Sequence, residues 1–549
     1  MKFSRYMRTL WHLRAGQCYG QVLVRLRARL VDPATAGTRR RGTWDLGGEA
    51  EAPALPDPVP LQDPAALARG TFSFIDRTSA LGASPDWNAP GQPRLWRYNL
   101  HYFDWLWSLL PDGVPEWAAA RRLTLDWIER HPPARGACGW EPYPTSLRLM
   151  NWALLFGLRH RALTAGDSEF RAALLESIGR QTGWLERNLE THIQANHLLE
   201  NLAALACVAS VFGGSDRDAL LARTLPRLRR ELAEQILADG MHYERSPMYH
   251  LRVLWLMEVL TQVGRPELAC LAMEPARRMR AALVHLRHPD GAIAQFNDAA
   301  PGIYADRWPG GEVAGAWSLP SAGYYGYRGG TGNYLIVDAG PIGPDHQPGH
   351  AHADLLSFEL SLGGRRVITD TGIGSYEPGP GRLADRSTAA HNTVEIEGRD
   401  SVEVWGSFRV GRRVVPTVLV WEPGADGLTL TAEHRGFEHL ACRAVHRRTF
   451  EWRADSLVIR DEVAVVKAAR LCSRIHLAPG VKVRVEDRVV HGELEGRSFR
   501  VEVMGSGELA IERSLAHPTF GGGVERPVIV LRQLVTPPGA GWQVQVRWS

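Results

Sequence analysis

Two hydrophobic periodicities divide the chain, and together they dictate its architecture before any residue is given a role. From about Leu95 to Arg287, apolar residues recur at steps of three and four, in runs such as "NLHYFDWLWSLL", "SLRLMNWALLFGLRHRAL", "NHLLENLAALACVASVF" and "YHLRVLWLMEVLTQV". That spacing predicts helix after helix, stacked as antiparallel hairpins in a solenoid or an α/α toroid. After "RHPDGAIAQFNDAAPG" the texture changes. From about Ser321 to Ser549 the apolar runs are short and β-rich ("YLIVDAG", "SFELSLGGRRVITDTG", "RTFEWRADSLVIRDEV", "GWQVQVRW"). Turn residues separate them at intervals of roughly ten, which predicts an antiparallel sandwich.

The leading 94 residues fit neither half. Residues 1–40 interleave Leu and Val with Arg and predict a basic amphipathic helix, either docked on the protein or lying on a membrane surface. From Thr43 to about Pro93, Pro, Gly, Ala and Asp dominate, as in a loop-rich connector. The predicted domains are therefore 1–94, helix and connector; 95–320, helical; and 321–549, sandwich.

Composition narrows the function classes. The 549 residues carry 64 basic and 60 acidic side chains for a net charge of +4, which makes no general case for a nucleic-acid partner. Six singly scattered cysteines suit reduced thiols rather than a disulfide framework. The basic start lacks the apolar core of a signal peptide, and no segment approaches the length of a membrane span. A cytoplasmic location is the expectation, a periplasmic one the alternative. The 19 tryptophans are read mainly as helix packing, with stacking on sugar faces as the alternative.

Chemistry-bearing residues concentrate in "GHAHADLLSFELSLGGRRVITDTGIGSYEPGPGRLADRSTAAHNTVEIEG". Read as a strand, "HAHAD" would aim His350, His352 and Asp354 at one face. They could bind a metal, move protons, or cap a wet sheet edge. His352, Asp370 and His391, on three neighbouring predicted strands, are of the ligand types zinc prefers, or else hydrogen-bonded strand-end residues. In the helical half, Asn196 and His197 open one helical run, and Ser246, Tyr249 and His250 sit near the start of another. Helix capping accounts for Asn196 and Ser246 equally well, and packing for Tyr249.

The order of these motifs ("NH", "SPMYH", "HAHAD", "TDTG", "HNTV", with "GWEPYPTSLRLMNW" upstream) resembles the heparinase II/III-like polysaccharide lyase family, and is also similar to the catalytic region of dermatan-sulfate epimerase. The resemblance runs from about residue 95 onward and is densest over 349–398. It implies an α+β multidomain protein, an N-terminal incomplete (α/α) toroid followed by a C-terminal antiparallel β-sandwich, with the active site in the cleft between them. It implies Asn196, Tyr249 and His350 as catalytic groups. It also implies Arg148, Asn151, His197, Arg252 and Tyr376 as substrate-binding positions. His352, Asp370 and His391 become ligands of a structural Zn2+.

The implied reaction is β-elimination of a 1,4-linked, uronate-containing acidic polysaccharide, in surface or exopolysaccharide metabolism. Neutralising the uronate carboxylate lets charge develop on it as the C5 proton leaves. Tyr249 would be base or acid. As a base it needs a neighbouring cation, which Arg252 or Arg148 could supply; otherwise His350 is the base and Tyr249 the acid. A uronate C5 epimerase, a metal-dependent hydrolase carrying a superficially similar HxH, and a non-catalytic glycan-binding protein are the alternatives. The basic leading helix could dock such an enzyme on a membrane or a synthesis complex.

Overall fold

The structure is a computed structural model that describes residues 2–30, 43–47, 54–134, 136–308, 311 and 313–548. Its first large body is helical. Helices Arg94–Tyr102, Trp117–Arg130, Pro142–Trp152, Ser168–Arg187, Ala195–Val211, Arg217–Gln235, Pro247–Gln262 and Pro266–His285 follow in order. The last four pack as two consecutive hairpins. Local signals start several of them. Asp167 accepts from the Phe170 N–H at 3.0 Å, and Ser246 accepts from the Tyr249 N–H at 3.2 Å with Pro247 in the first turn. Ala195–Val211 is buried almost all round, as a helix apolar on every face must be. Trp96, Trp107, Trp127 and Trp152 lie inside the helical core, whereas Trp105 also reaches a cleft wall.

The second body is built of antiparallel sheets. A five-stranded sheet runs in chain order through Gly315–Leu319, Tyr324–Arg328, Tyr334–Asp338, Phe358–Leu362 and Arg365–Ile368. Its first strand begins before the boundary expected at residue 321. An eight-stranded sheet includes Leu428–Phe437, Ala444–Arg453, Ser456–Ala464 and Gly539–Trp548 as neighbours, and a four-stranded sheet holds Val394–Ile396 beside Ala469–His476. Along Leu428–Phe437 and Ala444–Arg453 buried and half-exposed residues alternate, so one face enters a core shared by all three sheets. A smaller core joins the bodies, with Met241, Ala282 and Leu286 from the helical side packed on Trp317, Tyr324 and Tyr334. Helices first and a sandwich after is the architecture the periodicities predict.

The leading segment docks as one of its two readings expected, but as two helices rather than one, and residues 31–40 lie outside the described residues. It forms two helices, Lys2–Leu10 and Ala15–Leu30, that dock on the protein. Arg5 and Arg8 donate to Glu403 at 3.1 and 2.8 Å, and Gln17 donates to the His346 carbonyl at 3.1 Å. Among the described residues, no helix is long and apolar enough to cross a membrane. The connector is also more ordered than its composition suggests. Thr71–Phe74 and Arg77–Ala80 form a hairpin whose Phe72 and Phe74 enter the helical core. Its turn residues, Ile75 and Asp76, both have positive φ. Turns of that kind normally carry Asn, Asp or Gly, so β-branched Ile75 conceals the one in "FIDR".

Candidate active site

A cleft of about 880 Å³ opens where the hairpin, the helical body and the sheet-side loops meet. On the helical wall stand Asn196, His197 and Tyr249. Asn196 does not cap its helix, as one reading of the sequence had it. Gln194 occupies the cap with φ of 65° and Ala195 follows at 52°, without any side-chain cap bond. Backbone strain of this kind survives only where tertiary structure enforces it. It leaves the Asn196 side-chain amide on the cleft wall without a hydrogen bond to a described residue, while the backbone N–H goes to Glu244. His197 donates from Nδ1 to Glu190 at 3.0 Å and lies on Tyr143 at 4.3 Å between ring centres. Glu190 is in turn clamped by Asn201, which accepts from its N–H at 2.8 Å and donates to its carboxylate at 3.0 Å. Burial would lower the His197 pKa, but Glu190 outweighs it and raises it.

Ser246 does cap its helix, and the cap places Tyr249 three residues on. The Tyr249 hydroxyl is 3.0 Å from that of Tyr376, and its ring is 4.0 Å from the His350 ring. Burial, reinforced by Tyr376, Tyr304 and Tyr143, pushes the phenol well above its usual value. The cations expected to lower it are committed elsewhere. Arg252 is bound to buried Glu200 at 2.6 and 3.1 Å. Arg148 lies 4.0 Å over Trp127 and donates to Gln181 at 2.8 Å. In the free protein the Tyr249 hydroxyl therefore holds its proton.

The opposite wall carries His350, but not on a strand. Residues 349–357 are irregular, Leu356 has φ of 61°, and the strand begins only at Phe358. Alternation along a strand thus does not bring His350 and His352 together. Asp298 does. It accepts from His350 Nδ1 and His352 Nε2, each at 2.8 Å, and pairs with Arg382 at 2.7 Å. The backbone is stitched to match. The Asp298 N–H donates to the His350 carbonyl at 3.0 Å, the His352 N–H to Asn297 at 3.1 Å, and Ser246 Oγ to the Asp298 carbonyl at 2.6 Å. Asp298 and Arg382 are fully buried. Burial pushes the carboxyl pKa up, but Arg382 and the two histidines prevail and hold it well below the usual carboxylate range. An ionised Asp298 keeps the His350 proton on Nδ1 and leaves Nε2 for the cleft.

Of the expected site residues, Asn196, His197, Tyr249, His350 and Tyr376 line the cleft. Arg148, Asn151 and Arg252 do not, and this corrects the expectation that they touch substrate. Each is at most 1% exposed. Asn151 donates to the Tyr102 carbonyl and to Asp104 at 2.8 and 2.7 Å, so it stiffens the wall from behind. Asp298, Arg382, Glu190 and Glu244 are the functional residues that the sequence reading missed. Glu244 is buried against the Asn196 N–H, its other carboxylate oxygen makes no hydrogen bond and lies 3.7 Å from His242 Nδ1, and burial raises its pKa despite His350 and His197. The only sequence signal for Asp298 is its place in "FNDAAPG", where the helical texture ends.

Among the described residues, no group of three or more His, Cys, Asp or Glu side chains is gathered as a metal cage. The expected set of His352, Asp370 and His391 does not converge as its side chains stand. Asp370 accepts instead from His391 Nδ1 at 2.8 Å and from the Thr371 N–H at 2.8 Å. The two imidazoles nevertheless fit a metal. Their rings lie 5.3 Å apart, each donates one N–H to a carboxylate, and His352 Nδ1 and His391 Nε2 are buried without partners. Metal-binding histidines are oriented in this way, and orphaned buried acceptors are otherwise rare. Asp354, which also carries an unpartnered oxygen, anchors neither ring. The glycine of "TDTG" has its own cause: Gly372 has φ of +69°, and a Cβ there would meet Gln295 at 2.4 Å.

The family described as Heparinase II/III N-terminus matches residues 115–306, and Heparinase II/III-like, C-terminal matches residues 312–549. FtsZ-localized protein C of Caulobacter vibrioides is 27% identical over 463 residues, covering 78% of either chain. Heparin-sulfate lyase of Pedobacter heparinus is 23% identical over 356 residues, covering 56% of this chain and 52% of its own. Two solved structures share the fold. Heparinase III has a TM-score of 0.72 at 16% identity, covering 93% of this chain and 88% of its own. A mutant of heparan sulfate lyase HepC from Pedobacter heparinus scores 0.62 at 16% identity, covering 97% and 88%. With both halves matched and a cleft built from each, the chain belongs to the heparinase II/III-like family of polysaccharide lyases.

Proposed function

We propose that this protein cleaves a 1,4-linked, uronate-containing polysaccharide by β-elimination, using His350 and Tyr249 as its proton-transfer pair. The observation that carries the reading is the Asp298 clamp, which fixes the His350 tautomer with its ring against Tyr249. His350 Nε2 takes the C5 proton. The electron pair of the C5–H bond forms the C4–C5 double bond as the C4–O bond breaks. The Tyr249 hydroxyl protonates the departing oxygen, and Tyr376 steadies it. The Asn196 amide and protonated His197 receive the uronate carboxylate, stabilising the charge that develops on it. Afterwards the proton on His350 returns to Tyr249, whose ring is its neighbour.

His352 and His391 would hold a zinc ion, with Asp370 behind His391. Bound there, the metal would supply charge that ties the loop at 349–357 to the strand ends near 370 and 391. The leading helices carry exposed Phe3, Trp11 and Tyr19 among arginines, which supports peripheral docking on an anionic membrane or assembly complex involved in surface polysaccharide metabolism. A second reading, a glycan-binding protein that positions other machinery, is favoured by the relative named for its localisation.

The test is the ultraviolet absorbance of the unsaturated uronate, followed over a panel of acidic polysaccharides. A rise that Tyr249→Phe abolishes supports elimination. Solvent deuterium entering at C5 without a rise means epimerisation, and binding with neither means the second reading.

A further inference from the structure

The cleft walls are poor in free cations and rich in rings. Among the described residues, only two arginines line it. Arg94 is already held by Glu141 at 2.7 and 2.9 Å and by the Tyr98 hydroxyl at 2.7 Å. Arg409 stands at the rim, 4.8 Å over the Trp405 ring. Asp104 and Glu377 line the same space and bring negative charge into it. The cations that the sequence offered for substrate, Arg148 and Arg252, are buried in the wall, and Arg382 is committed to Asp298. What faces the cleft instead is aromatic, including Tyr98, Tyr143, Tyr304, Phe408 and Phe520.

This composition decides between two kinds of acidic chain. A sulfate ester keeps its charge at any working pH, so in an enclosed site it needs an arginine or lysine to replace its lost hydration. Among the described residues, Arg409 is the single such side chain on these walls without an acidic partner, and it stands exposed at the rim, so a sulfate on every repeat finds no further counter-charge. A single carboxylate per repeat needs only the place beside Asn196 and His197. Neutral sugar faces between carboxylates lose little against tyrosine and phenylalanine rings, and burying them there is favourable.

We propose that the cleft is built for an unsulfated uronate polysaccharide, one carboxylate per repeat, whose intervening neutral sugars lie on the aromatic walls. This rests on the lyase reading for the place of the carboxylate. Densely sulfated glycosaminoglycans are disfavoured by the scarcity of counter-charge among the described residues, with Asp104 and Glu377 on the same walls.

The experiment measures binding of length-matched hexasaccharides to the full chain carrying Tyr249→Phe, which removes one hydroxyl and prevents turnover. Two backbones are used, chondroitin with and without 6-O-sulfate and heparosan with and without N- and 6-O-sulfate. The unsulfated member of at least one pair binds at least about tenfold tighter, the ratio that one uncompensated charged group produces. Its affinity changes little as salt rises, since few charges are screened. Glu377→Gln in the same background narrows the ratio. Sulfated members that bind as well as or better than their unsulfated counterparts in both pairs, a steep salt dependence, or failure of all four ligands to bind overturns the proposal. The lyase reading fails separately, if the wild-type protein produces no unsaturated uronate from a chain that the variant binds.

Discussion

The two walls of the cleft hold their working groups by different means. On the helical side, Tyr249 is placed by a rule readable over four residues, a serine cap followed by proline. On the sheet side, His350 and His352 sit in irregular backbone and are placed by Asp298, 52 and 54 residues away, and by Arg382, 84 residues from Asp298. The helical wall spreads the task of positioning over a continuous element. The sheet-side wall concentrates it in one buried charge. The first should therefore tolerate local damage, and the second should fail as a unit.

Substitutions can break or sharpen that contrast. The largest effect is expected from Tyr249→Phe, which removes the acid itself. Elimination falls by about a hundredfold to ten-thousandfold, while denaturant unfolding shifts little because only the bond to Tyr376 is lost.

Asp298→Asn comes next. It leaves Arg382 buried without its charge partner, a change that costs about 3–5 kcal/mol in comparable pairs, and it frees the His350 tautomer. Stability and turnover should fall together. Glu200→Gln is the matched change on the helical side, uncoupling fully buried Glu200 from Arg252. It should cost stability with a smaller loss of turnover. Equal losses of turnover in the two variants would erase the contrast.

Removing metal is the third probe. Purified protein should carry zinc by elemental analysis, and a chelator should lower its melting temperature. His391→Ala should be insensitive to the chelator. An unchanged melting curve in metal-loaded and stripped protein would mean that the orphaned nitrogens serve something else.

Ser246→Ala is smaller, about 1 kcal/mol from the lost cap. Because Ser246 Oγ also holds the Asp298 carbonyl, a drop in turnover beyond that in stability would show the two walls to be mechanically joined.

The smallest expected effect is on pH. The folded-state pKa of His197 is raised, so the protonated form is favoured in the fold. Its contribution to stability is fully present below the unfolded value of about 6.5 and is lost as pH rises through the higher folded value. Melting temperature measured from mildly acidic to mildly alkaline pH should show this loss in wild type and not in His197→Gln.

Much of this was legible in order of locality. Helical and strand periods are properties of short windows, so the helices-then-sandwich architecture followed from residues 95–549 alone. The Ser246 cap was visible for the same reason. The Ile75–Asp76 turn was hidden because β-branched Ile75 is a residue that positive φ disfavours. "HAHAD" misled because alternate spacing mimics a strand, while the chain there is bent by contacts from Asn297 and Asp298. Arg148 and Arg252 misled because a cation in a helix is equally suited to a substrate carboxylate and to a buried Glu200 or Trp127.

Residue types and their periods, written along the chain, were enough to name the two bodies, the acid–base candidates and the family resemblance. Which cations face the cleft, which carboxylate governs His350 and how Asp370 is used were decided only by tertiary structure. The reason is physical. Periodicity is summed over neighbours in sequence, whereas a buried charge settles on whichever partner folding brings within about 3 Å.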